Sequence, residues 1–332
     1  MPQMDAVVID APGAPDVLQF RRMPIPDPPA GWVRIRIRGL GLNRAEMFTR
    51  QGHSPSVRFP RIIGIECVGE IDADDSGTFQ KGEIVATMMG EMGRDFDGSY
   101  AQYTVVPARQ ILRVPNSSLS WAQLAAIPEM YQTATGALRE MRRSPGMTLL
   151  IRGGTSSVGK TAIAVARSSG LTVLASSRRM EARADLEGMG AKFYCDTGEL
   201  NSAIRQDYPD GIDGVLDLVG SSTLYDSMLC CRKGGVVSMT GILGNSWSFE
   251  NWSPMGGIPS GVFLTSYHGL GMEPEDFQAV VRGVDEGSLP LYTDRVFRLD
   301  QMQEAHRRME NSEARGKMVV LPWPEDQKDA GL

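Results

Sequence analysis

The stretch Gly153-Gly154-Thr155-Ser156-Ser157-Val158-Gly159-Lys160-Thr161 decides the fold, and it admits two interpretations. Read from Gly154, it matches the pattern G-x-x-x-x-G-K-[ST] at every fixed position, which is typical of proteins that hydrolyse ATP or GTP with magnesium. Read as a turn between a strand and a helix, it is a degenerate dinucleotide-binding loop, in which Ser156 replaces the middle glycine of G-x-G-x-x-G. The second interpretation predicts a nicotinamide cofactor and hydride transfer.

The next predicted strand favours the dinucleotide interpretation. It ends at Ser176-Ser177-Arg178-Arg179, about 20 residues after the loop, where a bound dinucleotide places its ribose. An acidic side chain there would select NAD, whereas guanidinium groups suit the 2′-phosphate of NADP. We therefore predict NADP(H) as the cofactor, held through Ser177, Arg178 and Arg179, with Arg183 as a weaker candidate. Lys160 then becomes a solvated residue in the first turn of a helix.

The periodicity divides the chain into two regions. In residues 32–38, Val33, Ile35 and Ile37 alternate with arginines, which predicts a strand with one buried and one solvated face. Similar strands up to about residue 106 predict a barrel-like β domain. From Thr148 onward, strands alternate with amphipathic helices, which predicts a parallel sheet covered on both faces. The segment after Pro322 is expected to be frayed.

The composition narrows the class of protein. The 332 residues contain 34 basic and 40 acidic side chains, a net charge of -6 that does not favour nucleic acid. No segment is apolar enough to span a membrane, and the N-terminus lacks the pattern of a signal peptide. The four cysteines form no C-x-x-C pair, and the three histidines have no ligand spacing, so we expect reduced thiols, no metal site and a cytoplasmic location.

Several short segments, in this order and spacing, resemble the medium-chain dehydrogenase/reductase superfamily, and most closely its zinc-independent quinone oxidoreductase-like branch. The resemblance covers nearly the whole chain. The segments on which the resemblance rests are 41–46 (GLNRAE), 60–66 (PRIIGIE), 97–103 (DGSYAQY), 125–128 (AAIP), the loop 153–159, 188–191 (GMGA), 217–220 (DLVG) and the pair Gly316-Lys317.

The resemblance implies an α/β fold of two domains. These are a GroES-like β-barrel catalytic domain, residues 1–121 and 269–332, and a Rossmann domain with a doubly wound parallel sheet, residues 122–268. Zinc-dependent members carry cysteine at the position of Asn43 and histidine at that of Ile65, and the four-cysteine zinc lobe is also missing, which implies no metal. The resemblance places Asp217 at a strand end that lines the cofactor cleft. Asp217 is then not the magnesium ligand that a P-loop would require.

The resemblance also implies the site residues. Asn43 and Tyr131 are the predicted catalytic residues, and Tyr267 is another possible proton donor. Both tyrosines alternatively serve only as packing aromatics. Asn43 alternatively stabilises only a turn, and Thr133 alternatively bonds only within its helix. The predicted cofactor-binding residues are Asn43, Thr133, Gly154, Thr155, Ser156, Ser157, Val158, Gly159, Ser177, Arg178, Arg179, Val219, Gly241, Ile242, Phe263, Leu264, Thr265 and Lys317.

The predicted function is reduction of a quinone or an α,β-unsaturated carbonyl by NADPH, through hydride transfer without zinc. Two alternatives stay open, namely a non-catalytic member that binds NADPH as a structural or regulatory ligand, and a P-loop nucleotidase. The expected partners are a small-molecule substrate and a second copy of the chain. The apolar loop 244–260 either covers the substrate or forms a subunit contact, and the sequence does not name the substrate.

Overall fold

The computed structural model describes residues 2–269 and 271–329. The chain forms two compact units, one of Met1–Met130 with Gly271–Leu332 and one of Tyr131–Leu270. The predicted domain boundary after residue 121 lies nine residues before the end of the first segment at Met130, and the second boundary differs by two residues. Within the described residues, no helix is long and apolar enough to cross a membrane.

The strands and helices follow the predicted change from a β-rich region to alternating strands and helices. The strands are β1 Gln3–Val8, β2 Gln19–Pro24, β3 Trp32–Gly41, β4 Glu66–Asp74, β5 Ile84–Met88, β6 Tyr103–Pro107, β7 Ile111–Arg113, β8 Thr148–Arg152, β9 Thr172–Ser177, β10 Lys192–Cys195, β11 Ile212–Asp217, β12 Cys231–Met239, β13 Phe263–Ser266, β14 Thr293–Arg298 and β15 Lys317–Leu321. The helices are α1 Arg44–Arg50, α2 Trp121–Ala125, α3 Pro128–Glu140, α4 Ser157–Ser168, α5 Arg183–Gly188, α6 Leu200–Asp207, α7 Ser221–Cys230, α8 Pro254–Gly257, α9 Pro274–Asp285, α10 Met302–Glu310 and α11 Pro324–Asp329.

The second unit is built on a six-stranded parallel sheet in the order β10-β9-β8-β11-β12-β13. The central strand β8 contains the buried apolar residues Leu149, Leu150 and Ile151, because helices cover both faces of such a sheet. The order reverses direction between β8 and β11, and ligands of open α/β sheets bind outside the carboxyl ends of the strands at this point. The predicted doubly wound α/β architecture is confirmed.

The first unit contains a seven-stranded sheet in the order β14-β15-β3-β4-β5-β7, with β6 also paired to β3. The pairs are antiparallel except for β14 with β15. The predicted alternation in β3 is confirmed, since Val33, Ile35 and Ile37 have no exposed surface while the arginines between them are partly exposed. Strands β1 and β2 form a separate two-stranded sheet, which was not predicted.

Residues 323–329 are ordered, so the expectation of a tail that frays after Pro322 was wrong for this segment. The indole of Trp323 donates a hydrogen bond to the Ile37 carbonyl at 2.7 Å, and helix α11 follows directly. The arginines on the outer face of β3 attract the acidic residues of this helix. Arg36 pairs with Glu325 at 2.8 Å, and Arg38 pairs with Asp326. The solvated face predicted for β3 is therefore the surface on which helix α11 packs.

Candidate functional site

The glycine loop joins the end of β8 to the start of α4, at the point where the strand order reverses. Gly153 has a φ of +86°, a conformation that favours glycine. A Cβ added to Gly159 would lie 2.5 Å from the Gly153 carbonyl oxygen, so helix and strand approach too closely for any side chain. Gly154 is less constrained, since an added Cβ would lie 3.1 Å from the Ala175 Cβ. The loop therefore has the close packing that a dinucleotide-binding turn requires.

The loop leaves three backbone donors available to an anion. The N–H groups of Thr155, Ser157 and Val158 have no acceptor among the described residues. Ser157 begins the twelve-residue helix α4, whose N-terminus carries a partial positive charge. The hydroxyl of Ser156, a predicted cofactor-binding residue, accepts from the Gly159 N–H at 3.0 Å and donates to the Gly153 carbonyl at 2.9 Å. The donors for a pyrophosphate are therefore backbone groups.

The prediction that Lys160 is a solvated residue was wrong. Its side chain is buried, and its ammonium group lies 2.7 Å from a carboxylate oxygen of Asp185 on α5. The fully buried Thr161 hydroxyl donates to the Ser157 carbonyl at 2.9 Å. A P-loop needs its lysine on the terminal phosphates and its hydroxyl on magnesium. Here the Lys160 ammonium group is paired with Asp185 and the Thr161 hydroxyl with the Ser157 carbonyl. The loop therefore offers backbone N–H donors to an anion, but not the lysine and hydroxyl that a nucleotidase needs for its phosphates and magnesium.

Arg178 and Arg179, which follow β9, differ from Arg152 in the same unit because they are not enclosed by carboxylates of the described residues. Arg178 is exposed and Arg179 is half-buried. In the part of the chain that the structure describes, neither has a carboxylate within ion-pair distance. The buried Ser177 accepts a hydrogen bond from the Arg179 N–H at 3.2 Å and so fixes this turn. Arg183 instead covers the ring of Phe193, with its guanidinium carbon 5.3 Å from the ring centroid.

Asp217 organises the end of β11. Its buried carboxylate accepts hydrogen bonds from the Val219 N–H at 2.8 Å and the Gly220 N–H at 2.9 Å. Its other oxygen accepts from the Ser227 hydroxyl at 2.6 Å and from Thr223. These four donors agree with the implied role at the strand end, because they leave no lone pair directed at a metal ion.

The segment after β12 packs directly on this strand end. A Cβ added to Gly241 would lie 2.5 Å from the Leu218 carbonyl oxygen, and the Gly244 N–H donates to the Val219 carbonyl at 2.8 Å. The predicted contacts Val219, Gly241 and Ile242 therefore lie together at the carboxyl ends of β11 and β12. Strand β13, which carries the other predicted contacts, pairs with β12 in register through Phe263, Leu264 and Thr265.

Helix α3 carries the remaining predicted residues of the second unit. The Thr133 hydroxyl donates to the side-chain oxygen of Gln132 at 3.0 Å, and Gln132 donates to the Tyr267 hydroxyl at 2.8 Å. Gly136 makes room for this tyrosine, since an added Cβ would lie 2.1 Å from its ring. Tyr131 has no exposed surface. A proton donor has to reach its acceptor, so the buried phenol is out of a substrate's reach in this conformation.

In the first unit, the predicted residues Asn43 and Lys317 meet in a buried cluster of charges. The Lys317 ammonium group lies 2.5 Å from the Asn43 side-chain oxygen and 2.6 Å from Glu66 Oε1. Glu129 Oε2 is 3.8 Å away. Burial by itself lowers the pKa of Lys317, but Glu66 and Glu129 outweigh it and raise that pKa above its usual value. The lysine is therefore a permanent cation within this cluster.

The carboxyl group of Glu46 completes the cluster. It accepts from the backbone N–H groups of Asn43 at 3.0 Å and Ile65 at 3.1 Å. Burial raises the pKa of Glu46 to about 7, although Lys317 opposes the increase. The Asn43 amide donates one hydrogen to Glu66 at 2.9 Å and the other to Glu46 at 3.3 Å. Both amide hydrogens of the predicted catalytic residue are therefore engaged within the protein.

Comparison with known proteins agrees with this architecture. Residues 29–116 match the family described as alcohol dehydrogenase GroES-like domain, and residues 189–320 match the family described as zinc-binding dehydrogenase. The human protein named quinone oxidoreductase is 27% identical, over 96% of this chain and 98% of its own. The crystal structure of AibC superposes with a TM-score of 0.86 at 25% identity, over 97% of this chain and 96% of that one.

The chain belongs to the medium-chain dehydrogenase/reductase superfamily, in its quinone oxidoreductase-like branch. Two other relatives differ in their stated activity. The 2-haloacrylate reductase of a Burkholderia species is 26% identical over 96% of this chain and 98% of its own. The NAD-dependent alcohol dehydrogenase of Sulfurisphaera tokodaii is 26% identical over 92% and 96%. This superfamily member is thus an oxidoreductase that takes a nicotinamide cofactor, either NAD or NADP.

The residues of this superfamily member do not fit a catalytic zinc. Zinc takes thiolate, imidazole or carboxylate ligands. Ile65 offers only a buried aliphatic chain, and the carbonyl oxygen of Asn43 and one oxygen of Glu66 are already bonded to the Lys317 cation. In the described part of the chain, no three His, Cys, Asp or Glu side chains form a group that could hold a metal ion.

Arg152 is a residue of this nucleotide-binding unit that sequence reasoning missed. It ends β8 immediately before the glycine loop and is fully buried. Its guanidinium group binds both oxygens of Asp196 at 2.8 Å and one oxygen of Asp226 at 2.6 Å. An arginine at the end of an otherwise apolar strand is a signal that could have shown it, because a buried charge requires a partner.

Proposed function

We propose that this protein reduces quinones or α,β-unsaturated carbonyls with NADPH and without zinc. The observation that carries the proposal is the pair Arg178 and Arg179, which follows the strand next to the glycine loop and has no carboxylate partner among the described residues. A guanidinium group without an internal partner at this place suits the 2′-phosphate of NADPH. An NAD-selective site would be expected to have an acidic residue there.

The residues of the second unit would hold the cofactor as follows. The N–H groups of Thr155, Ser157 and Val158 would bind the pyrophosphate at the N-terminus of α4. Ser177 would keep the turn in place for the arginines. When bound, NADPH supplies the hydride. We assign no proton donor, because Tyr131 is buried and both amide hydrogens of Asn43 already have acceptors.

Two considerations support the class of substrate. Relatives named quinone oxidoreductase and 2-haloacrylate reductase act, by their names, on molecules with a carbon–carbon double bond conjugated to a carbonyl or carboxyl group. The residues at Asn43, Ile65 and Glu66 do not suit zinc, so polarisation of an alcohol by a metal is not the chemistry that this site favours. The relative named NAD-dependent alcohol dehydrogenase supports a rival with NAD, which the following experiment tests.

The cofactor assignment is tested with Arg178→Ala and the double variant Arg178→Ala/Arg179→Ala. NADPH and NADH dissociation constants are measured by quenching of protein fluorescence. We expect the single variant to weaken NADPH about 10- to 100-fold, because it loses charged hydrogen bonds, and NADH less than about threefold. Arg232→Ala serves as the control, since this exposed arginine pairs with Asp213. Equal losses for both cofactors would refute the 2′-phosphate assignment.

The catalytic assignment is tested by stopped-flow oxidation of NADPH with a panel of quinones and enones. Turnover with any member supports the proposal, and tight NADPH binding without turnover favours the non-catalytic alternative. Thermal shift with ATP and magnesium tests the nucleotidase. A melting temperature raised by ATP-magnesium and not by NADPH would support a P-loop, and Lys160→Met would then abolish the shift.

We also propose a homodimer located in the cytoplasm. β13 is an edge strand of the parallel sheet, and edge strands present unpaired backbone groups. Phe263 on this strand is 62% exposed, and Met255 on the preceding helix α8 is 97% exposed. Light scattering during gel filtration measures the mass, and a monomer at micromolar concentration would refute the dimer. Cell fractionation tests the location.

A further inference from the structure

We propose that Lys317 is a positioning residue, whose buried ammonium group holds the side chain of Asn43 and the beginning of helix α3 and does not contact the cofactor. The inference rests on the proposed function, since it assigns a role within that reaction. It replaces the cofactor contact that the family resemblance implies for Lys317. The sequence shows the lysine at the start of a terminal strand, and only the structure shows what surrounds it.

The surroundings of Lys317 leave no room for a ligand. The residue is 1% exposed, and its ammonium group has hydrogen bonds to Asn43 and Glu66 and faces Glu129. Strand β3 closes over the pair at Gly41. A Cβ added there would lie 2.3 Å from Glu66 Oε1 and 2.5 Å from Lys317 Cε. A cofactor could reach the ammonium group only if this strand moved.

Lys317 acts on Asn43 directly. An amide can present its oxygen and nitrogen in two opposite orientations, and its neighbours decide between them. Here the cation takes the oxygen, while the carboxylates of Glu66 and Glu46 take the two hydrogens. If the cation were removed, the oxygen would lose its donor and the orientation would no longer be fixed from both sides.

Lys317 acts on helix α3 through Glu66. One oxygen of this carboxylate binds Lys317 and Asn43, and the other accepts the Glu129 N–H at 2.7 Å. The N–H groups in the first turn of a helix lack partners within the helix, so this bond fixes where α3 begins. Thr133, a predicted cofactor contact, lies one turn further along the same helix. The cation thus holds Glu66 in the position from which it anchors α3.

The test compares Lys317→Met, the double variant Lys317→Met/Glu66→Gln and the matched control Lys81→Met. Lys81 is a lysine of the same unit whose side chain is 80% exposed. Each variant is measured for its NADPH dissociation constant, for kcat and KM with the best quinone or enone, and for the Asn43 side-chain NH2 signals in a nitrogen-15 correlation spectrum. The double variant removes the cation together with its main carboxylate, so it keeps the test available if the single variant does not fold.

For Lys317→Met, or for the double variant if the single does not fold, we expect kcat to fall about 10- to 100-fold, the range that a misplaced group can cost. KM and the NADPH dissociation constant should change less than about threefold, and the Asn43 signals should shift. Lys81→Met should match the wild type. A merely structural role would lower the melting temperature and leave kcat of the folded enzyme unchanged, which would overturn the proposal.

Direct contact with the cofactor would overturn the proposal in a different way. It would weaken NADPH more than about tenfold in a folded variant. If the wild type reduces no quinone or enone, the proposed function fails, and the positioning role is then decided by the Asn43 signals and the NADPH dissociation constant. Unshifted Asn43 signals in a folded variant without Lys317 would refute the role whatever the reaction is.

Discussion

Each unit of this protein buries a basic side chain among carboxylates, and the two clusters are built on different principles. In the second unit, the planar guanidinium group of Arg152 meets Asp196 through two parallel hydrogen bonds and Asp226 through a third. In the first unit, the compact ammonium group of Lys317 lies among Glu66, Glu129 and an amide oxygen. The guanidinium group fixes a geometry, whereas the ammonium group supplies a point charge.

The carboxyl groups of the two clusters also differ in their hydrogen-bond donors and in their protonation. Asp226 also accepts the Leu200 N–H at 2.9 Å, and Asp196 accepts the Gly198 N–H at 3.0 Å, so each has a fixed donor besides Arg152. In the lysine cluster, burial raises the pKa of Glu46 to about 7, so one carboxyl group changes its charge near neutral pH. The arginine cluster thus fixes the strand end before the glycine loop through directed hydrogen bonds, and the lysine cluster contains a carboxyl group that titrates.

The largest effect is expected from Arg152→Met. The change leaves two buried carboxylates without their cation, and breaking a buried pair typically costs about 3–5 kcal/mol of the free energy of unfolding. Urea denaturation at pH 7 measures it. Arg232→Met is the matched control, because the Arg232 side chain is 45% exposed and its pair with Asp213 should contribute less than about 1 kcal/mol. If Arg152→Met lowered the free energy of unfolding by less than about 1 kcal/mol, the buried arginine would contribute no more to stability than the exposed Arg232.

The comparison also shows what the sequence could and could not predict. The alternation of strands and helices, the glycine loop and the arginines after β9 follow from local patterns, because a short segment contains all of the necessary residues. The clusters join residues far apart in the chain, such as Asn43 with Lys317 and Arg152 with Asp226. Nothing local in Lys317 distinguishes a cofactor contact from a buried cation.

The two wrong predictions, for Lys160 and for the segment after Pro322, also concern contacts between residues far apart in the chain. Lys160 was predicted to be solvated because Asp185, on another helix, was not known to approach it. The segment after Pro322 was expected to fray because its partners Arg36 and Arg38 lie nearly 290 residues away in the chain. Burial and pairing of charges depend on tertiary packing, which overrides local preference.

His306 provides the next prediction, because it is a second titrating group of the first unit. Arg50 can only donate, so its bond to Nδ1 at 3.2 Å leaves the hydrogen on Nε2, which donates to the Tyr100 hydroxyl at 2.9 Å. Burial and Arg50 lower the pKa of His306 to about 3. The unfolded chain binds a proton near pH 6.5 and the folded one does not. The contribution of His306 to the free energy of unfolding should therefore fall by about 2.5 kcal/mol from pH 6 to pH 4.

Urea denaturation of the wild type, His306→Asn and His268→Asn at pH 6, 5 and 4 checks this prediction. His306→Asn is less stable at pH 6, since it loses two buried hydrogen bonds, but its stability should depend less steeply on pH. His268 is exposed, so its variant should follow the wild type. If the free energies of unfolding of all three proteins depended on pH in the same way, His306 would be protonated in the folded state as in the unfolded chain. Glu46 would then be the group of the first unit on which the predicted pH dependence rests.

Glu46 should give a slightly smaller effect of the opposite sign. Its pKa is raised to about 7 in the folded state, above the usual 4.5 of a glutamate, so the folded chain binds the extra proton in this interval. The contribution is present at low pH and is lost as the pH rises through 7, by about 2 kcal/mol between pH 5 and pH 7. The measurement is the difference in unfolding free energy between the wild type and Glu46→Gln, which keeps the shape of the protonated side chain.

Asp196→Asn serves as the matched control in the arginine cluster. It neutralises a carboxylate that is also buried and that Arg152 binds through both oxygens. The difference between the wild type and Glu46→Gln should change steadily in favour of the variant between pH 5 and pH 7, and the difference for Asp196→Asn is measured beside it as the baseline for removing a buried carboxylate charge elsewhere. If both differences stay constant, Glu46 remains charged throughout. The Lys317 cation would then suffice to keep Glu46 charged across this pH interval.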